Sequence, residues 1–188
     1  VVVLAGPSGA GKSRLADRLH DAHGWPVFRL DDFYRDADAP GMPQRADLGI
    51  VDWDHPASWD AEAAVASLCE LVDTGRTTTP LYDIAASRAV GEREVRASSS
   101  DLVVAEGIFA AEAVEELRGC GVLHSAWCVH HRPAVTFARR LARDLRERRK
   151  APHVLVRRGL SLMREEPRIV GRQAALGATP ARARHVER

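Results

Sequence analysis

Lysine is nearly missing from this chain: only Lys12 and Lys150 occur in 188 residues. Neither follows an Asn, so the Asn-Lys-x-Asp segment with which switch GTPases read guanine is excluded. The LSGGQ signature of transporter ATPases is absent as well. Aromatic residues make up 5% of the chain, and Phe137 is the only one after residue 131. The C-terminal third therefore has no stacking platform for single-stranded nucleic acid. Cysteine is scarce too. Cys69, Cys120 and Cys128 are odd in number and lack a CxxC spacing, which excludes a disulfide framework and fits a reducing cytoplasm. Cys120, His124 and Cys128, with His130 and His131 nearby, suit no zinc module, and Trp127-Cys128-Val129 reads instead as a buried strand. No apolar run approaches the roughly 20 residues needed to cross a bilayer, so no membrane partner is expected. The chain opens inside a strand without Met and without a signal-peptide pattern, and a short N-terminal piece is expected to precede Val1.

What is present suits a soluble globular protein: 45% hydrophobic and 28% charged residues, enough for one domain over residues 1–188 with a core of its own. The net charge of +1 hides an uneven distribution. Residues 1–131 carry 11 Lys+Arg against 21 Asp+Glu, whereas residues 132–188 carry 16 against 5. A basic third of this kind raises nucleic-acid binding as a hypothesis. The missing aromatics argue against it, and clustered Arg has its own use beside a triphosphate.

Gly6-Pro7-Ser8-Gly9-Ala10-Gly11-Lys12-Ser13 spells G-x-x-x-x-G-K-[ST] directly after the apolar run Val1–Ala5. This is a phosphate-binding loop: glycines let successive N–H groups turn inward around a phosphate, Lys reaches the β/γ-phosphates and the Ser hydroxyl sits on Mg²⁺. The helix opening at the loop adds its positive dipole end. Leu15 and Leu19, spaced i, i+4 with Ala16 beside them, give that helix an inward face. Candidate nucleotide-binding residues are thus Gly6, Ser8, Gly9, Ala10, Gly11, Lys12, Ser13 and Arg14, with ATP as the expected donor.

Around the loop the pattern alternates strand and helix. Short runs apolar on both faces, Val1–Ala5, Val27–Leu30, Leu102–Ala105 and Ala126–His130, predict buried parallel strands. The stripe Ala61, Ala64, Val65, Leu68, Leu71 and Val72, closed by Gly75, predicts a helix. A second begins at Pro133 and runs through Phe137, Leu141 and Leu145; a third spans about 154–166 and stops before Pro167. The stretch 36–50, with Pro40, Gly41 and Pro43, reads as a loop beside the site, and the Ala/Arg-rich tail 177–188 is expected to fray. The implied fold is α/β of the P-loop type, a parallel sheet with helices on both faces, which binds ligands at the strands' carboxyl ends.

Two acids stand at such ends. Leu102–Ala105 runs into Glu106-Gly107, a position suited to Mg²⁺ or its bound water, so Ser13 and Glu106 are the candidate metal residues. Val27–Leu30 runs into Asp31-Asp32, either of which can take a proton from an acceptor hydroxyl.

In order along residues 1–150, the chain resembles the uridine kinases within the uridine kinase/phosphoribulokinase group of P-loop kinases. Besides the loop, Asp31-Asp32-Phe33-Tyr34 resembles the family's Asp-Ser/Asp-Phe-Tyr. Trp53-Asp54-His55-Pro56 is similar to Phe-Asp-His-Pro, Pro80-Leu81-Tyr82-Asp83 to Pro-x-Tyr-Asp, and Glu106-Gly107-Ile108 to Glu-Gly-Ile. Arg140-Leu141-Ala142-Arg143-Asp144 with Glu147-Arg148 resembles the Arg-rich lid. The resemblance implies a helical lid at about 132–152 followed by C-terminal helices at about 153–176. It implies Asp31 as the base and Arg140 and Arg143 on the transferring phosphate, which makes Lys12, Asp31, Arg140 and Arg143 the candidate catalytic residues. Tyr34, Trp53, Asp54, Tyr82, Arg88 and Arg148 are implied around a nucleoside acceptor.

The family's Phe and His after Pro-x-Tyr-Asp are replaced here by Ile84 and Ser87. Weak discrimination among bases is expected, with uridine and cytidine poor acceptors or only two among several. A vitamin riboside or sugar phosphate is the alternative acceptor, and an ATP-binding regulator with a vestigial acceptor site is the competing class. The sequence leaves homo-oligomerisation open.

Overall fold

A computed structural model describes residues 1–45, 49–146 and 152–187. Five parallel strands form the central sheet, in the order β2 (Val27–Arg29), β7 (Val104–Glu106), β1 (Val2–Ala5), β8 (Ser125–Val129) and β9 (Thr179–Ala181). Strand β1 lies at its centre with all four residues buried. Its side chains alternate between two cores. Val1, Val3 and Ala5 join Phe28, Leu68 and Leu117 on one face, while Val2 and Leu4 join Leu15, Leu19 and Val129 on the other. Period-2 burial on both faces explains why this strand is continuously apolar.

Helix α1 (Lys12–His23) packs its Leu15–Leu19 stripe on the second face. Helices α2 (Ala61–Thr74) and α3 (Val114–Gly119) cover the first. Asp60 caps α2 by accepting the Ala63 N–H at 3.0 Å, and Gly75 closes it in the left-handed conformation at φ 75°. Outside the sheet lie a two-residue ladder, β3 (Gln44–Arg45) with β4 (Ile50–Val51), and an antiparallel hairpin, β5 (Arg76–Asp83) with β6 (Arg88–Arg96). The chain ends with α4 (Pro133–Arg146), α5 (Pro152–Ala175), β9 and the single turn α6 (Ala183–Val186).

Two expectations need correction. Helix α5 does not stop before Pro167 but carries it internally. Proline removes one helical hydrogen bond at a cost of about 3 kcal/mol, and tertiary anchors on α5 at Glu166, Arg172 and Gln173 offset it. Nor does the tail fray throughout. Thr179–Ala181 adds a fifth strand, with Thr179, Pro180 and Ala181 in register with Trp127, Cys128 and Val129. Only Ala181 of that strand is buried, so no apolar run marks it in the sequence. Of the expected lid, α4 covers 133–146, and residues 147–151 lie outside the described residues.

Candidate functional site

Three strand ends finish level with one another. Leu4 of β1 and Arg29 of β2 both align with Glu106 of β7. The phosphate loop, the Asp31–Asp32 turn and the Glu106–Gly107 turn therefore leave the sheet side by side. The loop needs its glycines here. A Cβ on Gly6, at φ 140°, would stand 2.2 Å from the Val129 carbonyl oxygen. One on Gly9, at φ 86°, would stand 2.9 Å from the Thr136 carbonyl oxygen on α4. Lys12 is buried, and its Nζ donates to the carbonyl oxygens of Gly6 at 2.9 Å and Pro7 at 3.4 Å. Ala10 is buried, while Ser13 and Arg14 are exposed at the start of α1.

The Ser13 hydroxyl donates to Glu106 Oε2 at 3.1 Å. Glu106 is buried, and this desolvation pushes its carboxyl above the usual range; the Lys12 charge and the Ser13 hydrogen bond pull it back. A hydroxyl and a carboxylate are hard oxygen donors of the kind Mg²⁺ takes alongside substrate phosphates and water. The donor set thus fits the metal expected from the sequence.

Asp31 and Asp32 have different neighbours. Asp31 Oδ1 accepts the Ile108 N–H at 2.9 Å and lies where a Cβ on Gly107 would meet it at 2.8 Å. Its carboxylate is therefore held at the Glu106–Gly107 turn, where Glu106 feels its charge. Asp32 points to the hairpin, where its Oδ2 accepts from Arg93 Nη2 at 3.1 Å. Burial raises the Asp32 carboxyl, with Arg93 opposing the rise. Different hydrogen-bond partners separate two acids that spacing alone leaves equivalent.

Tyr34, three residues after Asp31 in the chain, stands in an aromatic wall. The Tyr34 ring centroid lies 5.7 Å from Trp53, 5.7 Å from Tyr82 and 5.9 Å from Phe109. Three backbone ties draw the segments together. Trp59 Nε1 donates to the Leu30 carbonyl at 2.7 Å, the Asp60 N–H to the Phe33 carbonyl at 2.9 Å, and the Arg35 N–H to the Ser58 carbonyl at 2.9 Å. The Tyr34 hydroxyl donates to the Trp53 carbonyl at 3.2 Å and the Tyr82 hydroxyl to the Arg35 carbonyl at 3.3 Å. Burial pushes the Tyr82 phenol up to about 12, so it stays a donor at neutral pH.

Of the sequence candidates, Tyr34, Trp53 and Tyr82 come together in this wall. Asp54 is exposed beside them, its N–H on Asp52 Oδ1 at 3.2 Å. Arg88 sits exposed at the start of β6, and the neighbouring Ala89 N–H bonds Asp36 Oδ1 at 2.9 Å. Arg140 is buried on α4 and donates through Nε (3.2 Å) and Nη2 to the Ser8 carbonyl. Arg143 follows it on α4 with its side chain outside the described residues, and Arg148 lies outside them altogether. Sequence reasoning missed Phe109 and Arg93. Phe109 stands three residues after Glu106, within reach of the Glu-Gly-Ile motif. Arg93 alternates with charged neighbours on β6, a pattern with no signal of its own.

The model of the phosphoribulokinase / uridine kinase family matches residues 1–158. A uridine kinase of Deinococcus deserti is 32% identical over 170 residues, spanning 87% of this chain and 77% of its own. One of Lactobacillus johnsonii is 26% identical over 170 residues, 87% of this chain and 76% of its own. Among solved structures, a protein described as a candidate fructose transport system kinase from a Silicibacter species shares the fold. Its TM-score is 0.64 at 22% identity, over 90% of this chain and 83% of that one. Among the described residues, no helix is long and apolar enough to cross a membrane.

Proposed function

The chain belongs to the phosphoribulokinase / uridine kinase family, which makes it a P-loop small-molecule kinase, and on that premise we propose that it phosphorylates a primary hydroxyl of a nucleoside from ATP. One observation carries the reading: the Ile108 N–H holds Asp31 Oδ1 at 2.9 Å, and Phe109, the next residue in the chain, packs its ring 5.9 Å from Tyr34 of the Tyr34–Trp53–Tyr82 wall. An acceptor stacked on that wall presents its hydroxyl to Asp31. The hydroxyl oxygen attacks the γ-phosphorus, its proton passes to Asp31, and the bond from the γ-phosphorus to the bridging oxygen breaks. Lys12 leaves its loop carbonyls for the phosphate oxygens, and Arg140 and Arg143 offset the charge that develops on the transferred group. Ser13 and Glu106 would hold Mg²⁺, which when bound neutralises charge on the β- and γ-oxygens. Asp54, at the rim of the wall, suits paired ribose hydroxyls.

The acceptor's base is read weakly in this proposal. Ile84 is 62% exposed, and Ser87 is held at φ 53° in the hairpin turn by local geometry. Neither supplies a buried polar group whose desolvation would reject a wrong base. The measurement is kcat/KM across uridine, cytidine, purine nucleosides, vitamin ribosides and sugar phosphates. We expect several ribosides within roughly a hundredfold of one another. A preference for uridine on the order of 10⁴-fold would contradict this. Tight ATP binding without turnover of any acceptor would favour a regulatory protein instead.

A further inference from the structure

Helix α5 carries a carboxylate that the phosphoryl-transfer scheme does not use. Glu166 is 2% exposed and lies beyond residue 158, where the family match ends. Its Oε1 accepts the Thr136 hydroxyl at 3.1 Å, and its Oε2 is buried without a hydrogen-bond partner. Thr136 is itself fully buried, and its carbonyl oxygen backs Gly9 of the phosphate loop so closely that a Cβ there would stand at 2.9 Å. Arg140 follows one turn later on the same face of α4 and donates to the Ser8 carbonyl. Glu166 thus stands behind the two α4 residues that touch the loop.

Burying a carboxylate with one oxygen unsatisfied costs several kcal/mol, and an uncharged residue of the same volume would serve the fold better. Burial pushes the Glu166 carboxyl upward, and the Thr136 hydroxyl and the Arg140 charge oppose the rise.

We propose that Glu166 is a positioning residue for the phosphoryl-transfer site: from α5 it fixes Thr136, and with it the turn of α4 that carries Arg140, against the phosphate loop, so that Arg140 meets the γ-phosphate already oriented. This rests on the reading that Arg140 acts on the transferring phosphate. A second polar anchor on the same helix face supports it. Gln173, seven residues on, donates to the Ile108 carbonyl at 2.9 Å, and the N–H of that same residue holds Asp31. Helix α5 thereby braces both the arginine side and the acid side of the site.

The test compares binding of AMP-PNP·Mg, which has a γ-phosphate, with ADP·Mg, which lacks one. Glu166→Gln keeps the acceptor for Thr136 and removes only the charge. It should weaken AMP-PNP by on the order of tenfold, the size of one charge-assisted contact, and leave ADP within about twofold. Arg140→Gln should show the same selectivity, and the double variant no further loss. Equal loss for both nucleotides, no loss, or full additivity would overturn the inference. Selective loss in Arg140→Gln alone would remove Glu166 and leave the Arg140 reading standing; no selectivity in Arg140→Gln would remove both. Should Glu166→Gln fail to fold, Thr136→Val is measured in its place. A smaller loss confined to AMP-PNP supports the proposal, and an unselective one rejects it.

Discussion

Asp31 and Asp32 are adjacent and chemically identical, yet their side chains meet different partners. The Ile108 N–H holds Asp31 at 2.9 Å at the Glu106–Gly107 turn, while Arg93 takes Asp32 at 3.1 Å. Asp31→Asn should therefore lower turnover by roughly 10²–10⁴-fold with ATP binding intact, the range lost with a general base. Asp32→Asn should spare most of kcat, because Asp32 meets Arg93 on the hairpin rather than a reacting group. The reverse pattern, read from turnover of the two variants, would exchange their roles. Lys12→Ala should all but abolish turnover, since Lys12 is the only side-chain cation in the loop; activity within a few-fold of wild type would rule that out. The loop and its acids are readable from sequence because each is a local motif with a fixed chemical purpose. Arg93 and Glu166 are not, because their meaning comes from partners 61 and 30 residues away.

Elements with an unbroken apolar run or a regular apolar stripe announce themselves, and elements with little buried apolar surface or held by polar anchors do not. Strands β1, β2, β7 and β8 were expected within one or two residues of where they lie, since a parallel central sheet demands unbroken apolar runs. The β5–β6 hairpin carries no such signal, because β6 buries only Val95 and otherwise reads as charged surface. At Pro167 of α5 the propensity argument for a helix end loses to tertiary contacts. The α4–α5 contact shows the same override at Gly159, where a Cβ would meet the Phe137 ring at 2.6 Å. Alanine is the better helix former by about 1 kcal/mol, yet Gly159→Ala should destabilise the protein by about 1–3 kcal/mol through overpacking. Phe137→Leu should recover part of that loss. A thermal melt in which Gly159→Ala is more stable than wild type would mean that α4 and α5 pack with room to spare.

Across the whole molecule, acids and bases are segregated by sequence yet share one site: the acid-rich first part supplies Asp31 and Glu106, the basic last part Arg140. The site's own acid works against the fold. Burial raises the Glu106 carboxyl, as it does those of Asp32 and Glu166. A carboxyl whose pKa is higher folded than unfolded binds its proton more tightly in the native state. Its contribution is therefore most favourable at low pH and is lost as pH rises from the ordinary glutamate range through the raised value. Glu106→Gln removes that penalty while keeping an acceptor for the Ser13 hydroxyl. The difference in melting temperature, variant minus wild type, should grow more positive from about pH 5 to about pH 8, by roughly 2–4 °C for each kcal/mol of penalty removed. Turnover should fall steeply in the same variant, because the buried charge is what would hold Mg²⁺ opposite Ser13. Added Mg²⁺ and ADP should narrow the gap by stabilising only the wild type. A melting difference that stays flat or shrinks with rising pH would mean that Lys12 and Ser13 already compensate the buried charge in full, and that this acid imposes no cost on the fold.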